Sequence, residues 1–117
     1  FDVPLLESFM KEVRRRGLHC RASIVVGVGT LGSARALRWM AAHVPGVHVP
    51  ERLLARIAAA TDQKAETKRA CIEIVRAVAA IEGVAGVHLM GHRNEDVLAE
   101  IIVESGVRGA SAQKTLQ

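Results

Sequence analysis

"IVVGVGTLGSAR", residues 24–35, sets an apolar, β-branched run against the spacing Gly27-x-Gly29-x-x-Gly32 and then a helical start. A nucleotide-binding fold would use such a turn to wrap a pyrophosphate at a helix N-terminus. That fold also requires one helix, then a second strand with an acidic residue at its end. Glu51 lies at about the right separation, some twenty residues on. Only Val47-His48-Val49 precedes it, however, and Pro50 then leads back into a helical pattern. A lone GxGxxG without its second strand is a weak signal. The competing reading is that Gly27 and Gly29 permit close packing or unusual backbone angles at the C-terminal end of a strand, where barrel enzymes carry ligand-contacting loops.

Working outward, residues 22–28 form a nearly continuous apolar run, the pattern of a strand covered on both faces in a parallel sheet. Upstream, Asp2 caps a helix with Val3 and Pro4 in its first turn; Leu5, Leu6, Phe9, Met10 and Val13 form one apolar face, and Gly17 ends it. Downstream, helices are predicted over 33–43, 51–60 and 64–82. The last of these places Cys71, Ile72, Ile74, Val75, Val78, Ala79 and Ile81 on its buried half. Trp39, in the first of the three, is expected to pack against a neighbouring helix. Gly83 and Gly86 bracket a turn into a second strand, 87–90. Asn94 caps a last helix over 95–105, with Val97, Leu98, Ile101 and Ile102 inward, and residues 107–117 read as a flexible tail.

Two buried parallel strands leave backbone donors and acceptors unpaired at both margins, so they do not make a sheet alone. The expectation is that the chain is the C-terminal portion of a larger α/β domain, or that another chain supplies the missing strands. The opening at Phe1, already at the start of a helix, favours the first.

The chain has 117 residues, 50% hydrophobic and 24% charged, which bounds it to a single folded unit and excludes a disordered or fibrous class. Its net charge of +4 is scattered, and the densest run, Arg14-Arg15-Arg16, closes a helix where cations oppose the negative end of the dipole. With two Phe, one Trp and no Tyr there is little to stack on bases, so no nucleic-acid partner is expected. Cys20 and Cys71 stand alone, as reduced thiols of an intracellular protein do. No stretch has the length of a membrane span, and the expected compartment is the cytoplasm. His88 and His92 lie four apart across a strand-to-loop transition, without the helical placement or third ligand of a metal site.

Three segments carry a family resemblance: "SIVVGVGTLGSARALRWM" (23–40), "VHVPERLLARI" (47–57) and "GVAGVHLMGHRNEDVLAEIIVESG" (83–106). In order and spacing they resemble the last segments of methylenetetrahydrofolate reductases, flavin-containing (β/α)8 barrels that reduce methylene-tetrahydrofolate to methyl-tetrahydrofolate. The resemblance implies an α/β fold that is the C-terminal portion of a (β/α)8 TIM barrel. Residues 1–106 would hold its last two strands and their helices. It further implies a folate-type substrate, FAD bound mainly by the N-terminal part of the barrel, and NADH or NADPH as electron donor. The contacts carried over to this chain are substrate contacts from the two strand-end loops: Gly29, Thr30 and Leu31, then Gly91, His92, Arg93 and Asn94. No catalytic acid or base falls within the chain, so the fragment alone would be inactive. Arg93 offers a guanidinium fork for a folate carboxylate or a flat ring. Two departures point to a divergent branch: Ala34 stands where family members place a stacking phenylalanine, and Gly91-His92-Arg93-Asn94 stands where they have Thr-Leu-Asn-Arg. Two other readings remain open: a nucleotide-binding α/β fragment using Gly27, Gly29 and Gly32, and a non-catalytic subunit whose strand edges complete another chain's sheet.

Overall fold

Asp2 accepts a hydrogen bond from the Leu5 amide at 3.1 Å, and helix α1 follows over Val3–Arg15 with Pro4 in its opening turn. Proline fits there because the first-turn amides have no intrahelical partner to lose. The computed structural model describes residues 1–109. Gly17, in the left-handed region at φ 68, turns the chain into a short 3-10 segment, Leu18–Cys20. The Ala22 amide is held by the Leu18 carbonyl, so strand β1 starts later than the apolar run suggests, at Ile24, and ends at Gly29. Ser33 caps α2, Ala34–His43, by accepting from the Ala36 amide. Pro50 opens α3, Glu51–Ala58, and Asp62 caps α4, Gln63–Ala80, by accepting from the Ala65 amide. Strand β2 spans Val84–Met90 and α5 spans Glu95–Ser105.

The two strands pair in parallel, with Val26 opposite Val87, Gly27 opposite His88 and Val28 opposite Leu89. Ile24 pairs with Val84 but Val25 pairs with Gly86, so Ala85 is an extra residue in the ladder. This irregularity corrects the expected turn at 83–86. Only Gly83 turns, at φ 92, while Gly86 already lies in the strand.

A second correction concerns cover. Ile24, Val26, Val28, Val87 and Leu89 face the helices, whereas Val25 is 57% exposed and Met90 46%, with Gly27 and His88 exposed between them. The strand predicted to be covered on both sides is thus covered on one. Among the described residues each strand is paired along one edge only.

Helix α4 is the centre of the core. Its Ala70, Cys71, Val75 and Val78 are buried together with Met10, Leu37, Ile57 and Ile101 from four other helices. At roughly 25 cal/mol per Å² of apolar surface, this interlayer is the main source of cohesion. Arg56 of α3 reinforces it by bridging Glu66 and Glu73 of α4, each at 2.6 Å. Three apolar positions depart from expectation. Leu5 and Phe9 of α1 are more than half exposed because only the Met10 and Val13 side of that helix meets α4 and its neighbours, and Ile102 of α5 sits at the solvent margin. Trp39, expected against a neighbouring helix, is 59% exposed and stacks on His43 of its own helix one turn along, ring centroids 4.8 Å apart. Residues 107–109 continue as a helical turn, and the rest of the segment read as a tail lies outside the described residues. No helix among the described residues is long and apolar enough to cross a membrane.

Candidate functional site

Both strands end at the same side of the molecule, and their last residues are tied together. The Thr30 amide donates to the Met90 carbonyl at 2.8 Å, extending the ladder one residue past β1. The two loops then meet side chain to side chain: Asn94 Nδ2 donates to Thr30 Oγ1 at 2.8 Å. Asn94 occupies the N-cap position of α5, yet its side chain caps none of that helix's amides. Its Oδ1 accepts instead from the His92 amide at 2.9 Å, closing the 91–94 turn on itself. Gly91 is required at the start of this turn, since a Cβ there would stand 2.7 Å from Asn94 Oδ1 and 3.2 Å from both Leu98 methyls. Arg93 takes φ 59, the sole positive φ outside glycine among the described residues, and its amide donates to Glu95 Oε1 at 3.3 Å.

Beneath the bridge lies a cavity of about 240 Å³. Its lining includes Thr30, Leu31, Gln63, Thr67, Cys71 and Asn94. The Thr67 hydroxyl, buried, donates to the Lys64 carbonyl at 2.9 Å. Burial pushes the Cys71 thiol above its ordinary pKa, so it is an inert, protonated group at neutral pH. At the rim Lys68 donates to Glu100 and Glu104 of α5, and these hydrogen bonds to the two carboxylates hold its ammonium above the usual lysine pKa.

The structure divides the sequence-predicted site residues. Thr30, Leu31 and Asn94 line the cavity, and Leu31 is 5% exposed and part of the core. Gly29 is the last residue of β1, beside the Phe1 ring, where a Cβ would stand 3.5 Å from the ring edge. Gly91, His92 and Arg93 form the exposed part of the second loop. Ala34 is 3% exposed, its methyl turned into the core, so it offers no surface on which a planar ring could stack. Gln63 was not anticipated: its Oε1 accepts from the Ala34 amide at 3.3 Å, across a separation of 29 residues that no local pattern reveals.

The glycine signature also has a defined place. Gly27 and Gly29 lie in the ladder of β1, none of Gly27, Gly29 and Gly32 has a positive φ, and residues 47–49 form no strand. Of the first amides of α2, which would face a phosphate, that of Ala34 is taken by Gln63 and that of Ala36 by Ser33.

A family model for methylenetetrahydrofolate reductase matches residues 1–106. No curated protein and no solved structure matches the chain. The family match covers all five helices and both strands of the fold described above, and with it the two joined loops; the chain belongs to the methylenetetrahydrofolate reductase family.

Proposed function

We propose that residues 1–106 are the closing two strands of a (β/α)8 barrel with their helices, and that their strand-end loops supply the folate side of a reductase pocket. The family assignment supports the chemistry class, a folate-linked one-carbon oxidoreductase. The observation that carries the reading is the joining of both loops at one end of the sheet by the Thr30–Asn94 bridge, with Arg93 raised on the second loop. In a parallel barrel, ligands meet the loops at the C-terminal ends of the strands. An open sheet face and two unpaired edges are what the final arc of such a barrel presents when viewed without its neighbours.

In this reading Arg93 grips a carboxylate of the folate glutamate tail with its guanidinium, a bidentate geometry that lysine would not reproduce. His92, Gly91, Gly29 and Leu31 shape the adjoining wall. The electron donor, NADH or NADPH, is carried by the family resemblance, and a cytoplasmic compartment by the two unpaired cysteines.

FAD, the cofactor the family implies, does not fit the residues present. Its pyrophosphate would seek free amides at a helix N-terminus. Here the Ala34 and Ala36 amides of α2 are bonded to Gln63 and Ser33 and the Ala65 amide of α4 to Asp62, while α3 carries Glu51 and α5 carries Glu95 and Asp96 in the first turn, which repel an anion. The flavin contacts therefore belong to other strands of the barrel, and the role of this segment is binding and orientation.

The test uses protein expressed from the complete reading frame, titrated calorimetrically with 5-methyltetrahydrofolate. Arg93→Ala is expected to weaken binding by about 1.5–3 kcal/mol, the range for a hydrogen bond to a charged group. A pterin analogue without the glutamate should bind equally to both forms. Folded protein that binds no folate, or an Arg93→Ala loss that persists with the tail-less analogue, would refute this assignment.

A further inference from the structure

We infer that Thr30 and Asn94 are positioning residues: their bridge fixes the 91–94 loop and sets where Arg93 stands. The inference rests on the folate reading for what Arg93 contacts, but the bridge itself stands on geometry. An asparagine at an N-cap position ordinarily accepts from the helix's own second or third amide. Asn94 forgoes that bond, and both ends of its amide are engaged elsewhere, Oδ1 by the His92 N–H and Nδ2 by Thr30 Oγ1. Thr30 is anchored in turn, because its own amide is locked to the Met90 carbonyl at the end of the ladder. The loop is thus pinned to the sheet through a side-chain bond that spans 64 residues. Arg93, left-handed between the closed His92 turn and the Glu95 side chain, has its backbone direction set by that pin.

The chemistry of the bond gives discriminating variants. Thr30→Ser keeps the acceptor oxygen, whereas Thr30→Val keeps the shape and removes it. Asn94→Asp also keeps the bridge, with its polarity reversed: the Thr30 hydroxyl donates to one carboxylate oxygen while the other accepts from His92. Asn94→Ala removes both bonds.

Two measurements on the protein from the complete reading frame test the inference. Hydrogen exchange at the His92 amide is expected to accelerate about tenfold in Thr30→Val and Asn94→Ala, one hydrogen bond's worth of local opening, and to stay within about threefold in Thr30→Ser and Asn94→Asp. Thr30→Val is also expected to weaken 5-methyltetrahydrofolate binding about fivefold in the parent but less than about twofold in an Arg93→Ala background, because the two residues act in series. Equal losses in both backgrounds would mean that Thr30 meets the ligand directly, and would overturn the positioning role. His92 exchange unchanged in both Thr30→Val and Asn94→Ala would overturn the bridge. A parent protein that binds no folate defeats the folate reading instead, and the exchange pattern still decides whether the loop is pinned.

Discussion

At Arg93 the backbone adopts a left-handed conformation that brings an L side chain's Cβ against the following carbonyl, at a cost of about 1–2 kcal/mol. Asparagine or glycine would sit there more easily. Arg93→Gly is therefore expected to raise stability in urea denaturation by up to about 1 kcal/mol, after the extra entropy of an unfolded glycine is allowed for, while abolishing the Arg93-dependent share of folate affinity. Stability gained together with binding lost is the signature of strain held for function; stability lost would mean that the arginine stem packs more than it strains. Two residues earlier the sign reverses. Gly91→Ala would drive a methyl to within 2.7 Å of Asn94 Oδ1, and a loss of about 1–3 kcal/mol is expected, with the His92 amide exposed to exchange at the same time. At this scale the sequence reading set Thr30 and residues 91–94 in the two strand-end loops, where the structure has them, but took the Asn94 side chain for the cap of α5. A cap is a local pattern and can be read from neighbours, whereas its actual partner, Thr30, lies across the fold.

Among the elements, the five α-helices and both strands could be read from periodicity and punctuation, because Asp2, Gly17 and Gly106 carry local chemistry that starts or stops a helix, whereas the cap that Asp62 makes for α4 was not anticipated. The strand boundaries were less legible. The Ala22 amide is captured by the Leu18 carbonyl and Ala85 is inserted opposite the Ile24–Val25 step, and both events depend on backbone pairing that no residue type announces. Charge along α1 is predictable in the same local way. Glu12 receives Arg15 and Arg16 from the next turn, at 2.6 and 2.8 Å, and their hydrogen bonds lower its carboxyl from the ordinary 4.5 to about 2. A depressed folded-state pKa stabilises fully above the unfolded value, and that contribution is lost as pH falls toward about 2. A carboxyl-carbon NMR titration of Glu12 should accordingly show a midpoint near 2, rising toward the ordinary value when Arg15 and Arg16 are both replaced by Gln. High salt should shift the midpoint the same way, since the group is exposed and its ion pairs are screened. A midpoint indifferent to both changes would show that these pairs do not persist in solution.

For the molecule as a whole, two parallel strands are what both the sequence pattern and the described residues show, and their open edges matter because every residue obliges a backbone donor and acceptor. What the sequence concealed is which surface is left uncovered. A strand inside a barrel and a strand between two helix layers give the same unbroken apolar run, so Val25 and Met90 read as buried when helices cover only the opposite face. This ambiguity allows a single substitution to separate the two situations. In the chain as a separate polypeptide, Val25 belongs to an open apolar face flanked by unpaired strand edges, a template for association. Val25→Lys is then expected to favour the monomer in sedimentation velocity and to leave the helix-covered core intact. In the proposed barrel, formed by the product of the complete reading frame, the same residue would face a packed interior, where a lysine would be cut off from water. There Val25→Lys is expected to destabilise by several kcal/mol, about the cost of an uncompensated buried charge. Opposite signs in the two contexts require additional strands to close over this face, whereas a lysine tolerated in both would leave the face open to solvent and remove the barrel from the interpretation.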